Sequence, residues 1–152
     1  MKKKVLTLCL IHQHPNLLLG MKKRGFGVGK WNGFGGKVEP GEEIEDAVYR
    51  EVWEEAGVKI AGAEKVGHIN FKFAGEPEAL EVHIFKAGSF SGEPRESDEM
   101  KPQWFHIDEI PLDQMWSDDK IWLPLFLAGK KFKGEFFFEG HDKILEHKLE
   151  LI

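Results

Sequence analysis

GKVEPGEEIEDAVYREVWEEAGV, running from Gly36 to Val58, decides how the rest of this chain is read. Its middle, Glu43 to Ala56, contains no Gly or Pro and stops at Gly57, a residue able to take the left-handed conformation that closes a helix. A helix over 43–56 is therefore predicted. At about 100° per residue, Ile44, Ala47 and Val48 make an inward stripe that Glu51 and Glu55 continue. Two carboxylates thus face the protein. Glu42, Asp46, Tyr49, Arg50 and Trp53 fall toward the opposite side, and Glu54 flanks the Glu51/Glu55 face.

The acids at the start of this helix suit the positive end of its dipole, but Glu54 and Glu55 sit at the negative end, where they do not. Glu51 stands three and four residues before them, a like-charge arrangement that costs about 0.2–0.5 kcal/mol per pair when exposed and more when desolvated. Arg50 offsets part of this charge by pairing with Glu54, and is not expected to reach the inward face as well. From the residues alone two readings stay open, a divalent-metal site and a solvated acidic face.

The spacing is more specific than the charge. Gly36, Glu42, Arg50-Glu51-Val52, Glu54-Glu55 and Gly57-Val58 resemble the Nudix box at each of its nine defined positions over twenty-three residues.

Composition bounds the rest. A chain of 152 residues fits a single domain over 1–152, able to bury roughly 68–70% of its unfolded surface in one core. A net charge of −5 without a dense basic tract argues against a nucleic-acid polymer as partner. The single cysteine, Cys9, excludes an internal disulfide and reads as a core thiol in a reducing compartment. Lys2-Lys3-Lys4 before an apolar run looks superficially like a signal peptide, but His12-Gln13-His14-Pro15 interrupts it without a small-residue cleavage site. No apolar run is long enough to span a membrane, so the cytosol is the expected compartment, with mitochondrial or nuclear pools also open.

Along the chain, Val5–His12 and Leu17–Met21 read as a hairpin about a Pro15-Asn16 turn. Lys22-Lys23-Arg24 follows, either a solvated patch or a phosphate contact, and leads into the glycine-rich stretch 25–36, whose Phe26, Trp31 and Phe34 are placed to wall a pocket. Asn32 is either a turn residue or an amide matched to a purine edge. Lys65–Phe73 and Leu80–Lys86 read as strands, with Phe71/Phe73 and Leu80/Val82 each sharing a face as core or pocket wall. Residues 88–94 read as loop and Gln103–His106 as a strand. Glu99 is either a surface charge or an oxygen ligand from outside the helix. Asp118-Asp119 beside Trp116 suggests a cap for a helix over Lys120–Ala128, which contains Pro124. The tail, 131–139 and 144–151, alternates as a closing hairpin.

GMKKRGFG (20–27), KWNGFGGKV (30–38), FAGEPE (73–78), ESDEM (96–100) and MWSDD (115–119) extend the likeness nearly end to end. They resemble the Nudix hydrolases that clear oxidised purine nucleoside triphosphates, the animal MutT-homologue branch. That resemblance implies an α+β fold, a mixed β-sheet sandwiched between helices. It implies Mg²⁺, with Mn²⁺ as a substitute, held by Glu51, Glu54, Glu55, Glu99 and the Gly36 carbonyl, with Glu55 or Glu99 as base, Arg50 orienting the glutamates and Lys22 on the substrate. It assigns base selection to Asn32, Asp118 and Asp119 and stacking to Trp116 and Phe26. Thr7, Phe71, Phe73, Leu80, Met100 and Trp122 would line the pocket, with Phe34, Gly35, Lys37 and Ser117 alongside. The implied partner is a small purine nucleoside triphosphate, acted on by a monomer. Leu80 departs from the Met of mammalian members, and Val28, Tyr49 and Trp53 also differ. Two neighbouring carboxyls in an apolar pocket should share a proton, one donating and one accepting, which would let one pocket read 8-oxoguanine and 2-hydroxyadenine alike. Rival readings are a Nudix enzyme for another nucleoside diphosphate derivative such as ADP-ribose, and a non-catalytic nucleotide- or metal-binding module.

Overall fold

Long β-branched and leucine-rich runs form the centre of a mixed sheet. In a computed structural model describing residues 2–152, the strands are β1 (Lys2–Gln13), β2 (Asn16–Lys22), β3 (Trp31–Asn32), β4 (Lys59–Ala61), β5 (Glu64–Phe73), β6 (Glu78–Ala87), β7 (Ser89–Ser91), β8 (Met100–His106), β9 (Phe132–Glu139) and β10 (Lys143–Leu151). Two helices join them, α1 (Ile44–Ala56) and α2 (Asp119–Leu127). The main sheet runs β10-β9-β5-β6-β1-β2-β3, with β8 also on β2. The β1–β6 and β5–β9 pairs are parallel and the others antiparallel.

Because β1 and β6 lie inside the sheet, both of their faces are buried, and alternate residues feed two cores. Leu10, Val82 and Ile84 join Trp122, Leu123 and Phe126 of α2. Cys9, Ile11 and Phe85 join Val48, Val52 and Ala56 of α1. The helices therefore cover opposite faces, the αβα sandwich anticipated above. Phe132, Phe136 and Phe138 of β9 are almost wholly buried in the α2-side core, each worth about 1.5–3 kcal/mol of hydrophobic stabilisation.

Three expectations need correcting. Residues 88–94 are not all loop, since Ser89–Ser91 forms β7 against β4; three residues are too short for a period to show. The helix begins at Ile44, with Glu43 as its cap residue. Asp118 stands at the start of α2 but makes no side-chain capping bond, and Asp119 lies within the helix. Their carboxyls point elsewhere.

Candidate active site

At the end of α1, Gly57 takes φ 70° and ψ 23° and donates its N–H to the Trp53 carbonyl at 3.0 Å. This closes the helix just after Glu55, whose side chain is 3% exposed and accepts the Gly35 N–H at 2.8 Å. Burial raises the Glu55 carboxyl to about 8, with the Gly35 bond pulling the other way. Glu51 is also raised by burial, against the pull of Arg50. Glycine is required at the adjoining turn. A Cβ on Gly35 would collide with the Thr7 carbonyl, and one on Gly36 would meet the Glu51 carboxyl carbon at 2.7 Å. The missing side chains let the 35–36 backbone lie between β1 and the acids of α1.

Arg50 does more than expected. Its Nη1 donates to Glu51 Oε1 at 2.7 Å and to Glu54 Oε2 at 3.3 Å, while Nε and Nη2 hold Glu42 at 2.8 and 2.9 Å and Nη2 also reaches the Lys37 carbonyl. The view that it cannot reach the inward acid is overturned, because a fork of five donors on a long stem spans both sides.

Glu99 enters from outside the helix. Arg24 Nε and Nη2 donate to its Oε1 at 3.0 and 2.7 Å, holding its carboxyl below the usual range, and Lys22 stands 3.7 Å from Oε2. Ser97, which the sequence reading missed, ties this turn to the helix: its hydroxyl donates to the Glu55 carbonyl at 2.9 Å and accepts the Met100 N–H at 3.1 Å. Of the three basic residues, Lys23 turns away to Glu96 and the Ser97 carbonyl. Lys22 alone lines the cavity.

That cavity, about 280 Å³, runs from Gly35, Gly36, Glu55 and Lys22 to Asp118, Asp119 and Trp122, beside Thr7, Asn32 and Met100. Phe71, Phe73, Leu80, Val82 and Phe138 wall one side. At its far end Asp118 and Asp119 are 4% and 2% exposed. Trp122 Nε1 donates to Asp118 Oδ2 at 2.7 Å, whereas Asp119 Oδ2 is buried without a protein partner. Burial raises Asp118 to about 6 and Asp119 well above its ordinary value, with Asp118's charge adding to the latter. Asn32 Oδ1 accepts the Gly33 N–H at 2.8 Å, which orients the amide and leaves its NH₂ to donate. At the mouth, the Phe26 ring centroid lies 5.1 Å from Trp116 and 5.0 Å from His141, and Lys30 Nζ stands 5.3 Å over Trp116. His141 and Lys30 went unremarked in the sequence; no local pattern marks a hairpin-turn residue 115 positions beyond Phe26 as its neighbour.

Several expected contacts lie elsewhere. Phe34 bridges Cys9 and is wholly buried on the α1 face, and Trp31 packs edge-on to Phe105, so of the three loop aromatics only Phe26 lines the cavity. The Ser117 hydroxyl donates to the Asp142 carbonyl, and Lys37 is outside the lining. Glu54 is exposed and held by Arg50. The Gly36 carbonyl accepts the Thr7 N–H at 2.9 Å and the Thr7 hydroxyl at 3.5 Å, so a further partner would have to displace the longer of the two. Glu51 and Glu99 stand near enough to Glu55 to act on its charge, and the Glu51 carboxyl fills the cradle that a Gly36 side chain would occupy, while Glu54 is turned out to Arg50. This donor set fits a hard divalent cation.

The chain belongs to the Nudix family: the NUDIX domain matches residues 2–126. Nudix hydrolases need a divalent metal. This chain is similar to the oxidized purine nucleoside triphosphate hydrolase of Danio rerio, 59% identical over 147 residues, covering 97% of this chain and 94% of that protein. The enzyme of the same description from Mus musculus is 54% identical over 143 residues, covering 94% and 92%. Among solved structures, a MutT protein from Bacillus halodurans superposes with a TM-score of 0.84 at 30% identity over 97% of both chains. No helix of the described residues is long and apolar enough to cross a membrane.

Proposed function

We propose that this chain hydrolyses oxidised purine nucleoside triphosphates, such as 8-oxo-dGTP and 2-hydroxy-dATP, to the nucleoside monophosphate and pyrophosphate, and so cleanses the nucleotide pool. The observation that carries the reading is a single cavity with Glu55 at one end and the Asp118-Asp119 pair at the other. One end suits phosphates and metal, the other a base edge.

Mg²⁺ held by Glu51, Glu54, Glu55, Glu99 and the Gly36 carbonyl would supply positive charge and Lewis acidity at the triphosphate. Lys22, at the cavity wall, steers the same anionic groups. Arg50 fixes the rotamers of Glu51 and Glu54 through its hydrogen bonds. Water adds to phosphorus while the bridging P–O bond breaks, and Glu55 takes the proton that the water releases. Glu99 must leave Arg24 to take part. At the base end, Trp116 and Phe26 stack on the purine, the Asn32 NH₂ donates to it, and the aspartate pair reads its edge. The proton shared by Asp118 and Asp119 can reside on either, so the pair can present donor and acceptor in either order. The protein acts as a monomer on the free nucleotides of the cytosol.

Mg²⁺-dependent hydrolysis, read as pyrophosphate from 8-oxo-dGTP, 2-hydroxy-dATP, O6-methyl-dGTP and dGTP and as AMP from ADP-ribose, tests this. Preference for the first two is expected. Preference for ADP-ribose would overturn the base assignment, and failure on every substrate with folded protein would point to a binding module.

A further inference from the structure

Away from the nucleotide cavity, β5 and β6 bring together three residues that the proposed hydrolysis does not use. His68 and His83 are directly paired across the two strands, and Glu81 lies two residues before His83 on the same face. Neighbouring residues of opposite parity, Phe71, Phe73, Leu80 and Val82, line the cavity. The trio therefore occupies the other face of the sheet. Among the described residues it is the one group of three metal-ligating side chains whose donor atoms all lie within 4.8 Å of one another.

We propose that His68, Glu81 and His83 form a binding site for a borderline-soft divalent cation of the Zn²⁺ type, separate from the oxygen-rich site at the end of α1. Two imidazoles and one carboxylate are a ligand set used for zinc, with a fourth position left to water. Nitrogen donors discriminate against Mg²⁺, which prefers oxygen. The two metals would therefore sort themselves between the sites.

The donor atoms are close enough to share one ion, but stacked rings hold their in-plane lone pairs in separate planes, so one imidazole must turn toward the other's plane to bind it. The two imidazole rings are nearly parallel, 14° apart, with centroids at 4.6 Å, and His83 Nε2 lies 2.8 Å from Glu81 Oε2. Around a tetrahedral ion with bonds of about 2.0–2.2 Å, donor atoms stand roughly 3.4 Å apart. The 2.8 Å contact must open and the wider separations close, changes within reach of χ rotations. Strand pairing already fixes the Cβ positions.

A second observation points the same way. His68 Nε2 is buried without a protein partner, as is the neighbouring Asn70 Oδ1; the unmet Nδ1 of buried His83 lies across its ring from the Nε2 that faces Glu81 and is left to water. Buried polar atoms are normally satisfied, and unmet ones mark places where an ion or water belongs. Burial lowers the His68 pKa, with His83 and the lysines Lys65 and Lys3 adding to the shift against Glu81, while the His83 hydrogen bond lowers that of Glu81. Lys3 Nζ approaches Glu81 Oε1 only to 3.9 Å and its side chain is half exposed, so it can withdraw to solvent.

The test is a titration of the whole protein, held in excess Mg²⁺, with Co²⁺ followed by its visible absorption. One equivalent should give the intense band of four-coordinate cobalt with nitrogen ligands, and Zn²⁺ should displace it. His68→Gln should weaken uptake at least tenfold while leaving Mg²⁺-dependent hydrolysis and the circular dichroism spectrum unchanged. His83→Asn should abolish uptake; if it does not fold, the half-exposed His68 decides. Absence of the band in the wild type, equal uptake by His68→Gln, or loss of the band in Glu55→Gln instead would each overturn the proposal.

Discussion

Glu55 and the Asp118-Asp119 pair are both carboxyls buried at the wall of one cavity, and burial raises the pKa of all three. Their neighbours differ. Around Glu55 stand more acids, a backbone N–H and Lys22, a setting completed when a cation and phosphates arrive together. Around the aspartates stand an indole N–H and aromatic rings, with each other as the nearest charge. Under the proposed function the same desolvation suits opposite tasks: the first end would take up a cation along with its substrate, and the second would keep a proton with which to read a base.

The contrast can be broken most sharply at Glu55. Glu55→Gln should lower turnover by about 10²–10⁴-fold while nucleotide binding survives, as steady-state kinetics and calorimetry would show. Retained turnover would move the proton transfer to Glu51, Glu54 or Glu99. At the other end, Asp118→Asn and Asp119→Asn should each cost about 10–100-fold in kcat/KM, the price of one mismatched buried hydrogen bond, and unequally for 8-oxo-dGTP and 2-hydroxy-dATP. Equal losses on both bases would count against the shared proton.

Stability supplies a milder probe. A carboxyl whose folded pKa lies above its unfolded value contributes stability below the ordinary carboxylate range, and that contribution is lost as pH rises through the folded pKa. For Asp118 the window is pH 3.8 to about 6, so part of the wild-type melting temperature should be lost across it. Asp119→Asn, which removes a second carboxyl that burial and the Asp118 charge hold well above its ordinary value, should flatten that slope by several degrees, at about 2–4 °C per kcal/mol for a domain of this size. An unchanged slope would mean that the Asp119 carboxyl is not held protonated across this window. The smallest effect is expected from Ser117→Ala: the hydroxyl serves the Asp142 carbonyl, so kcat/KM should stay within about twofold for every base.

Much of this was legible along the chain, for local reasons. Helix period alone put Glu51 and Glu55 on the inward stripe, and Gly57 marked the stop; Gly57 ends α1 and Glu55 is buried on it, while Glu51 is partly buried. Alternation located the long strands and the closing hairpin. Illegible were the places where residues far apart in sequence meet. Arg24 on Glu99, Ser97 on the Glu55 carbonyl and His141 on Phe26 depend on sheet register and loop packing. The same holds for Phe34, which bridges Cys9 and so faces away from the pocket its neighbours line.

What the sequence determined by itself is the acidic end of the cavity: fixed spacing on one helix places its acids whatever surrounds them, because the period is a property of the backbone. Only the tertiary structure decided the aspartate end of the cavity and the histidine pair on the far face. A carboxyl's proton and an imidazole's free nitrogen depend on how much water the packed chain leaves beside them, and burial on that scale exists only once the sheet and both helices have closed.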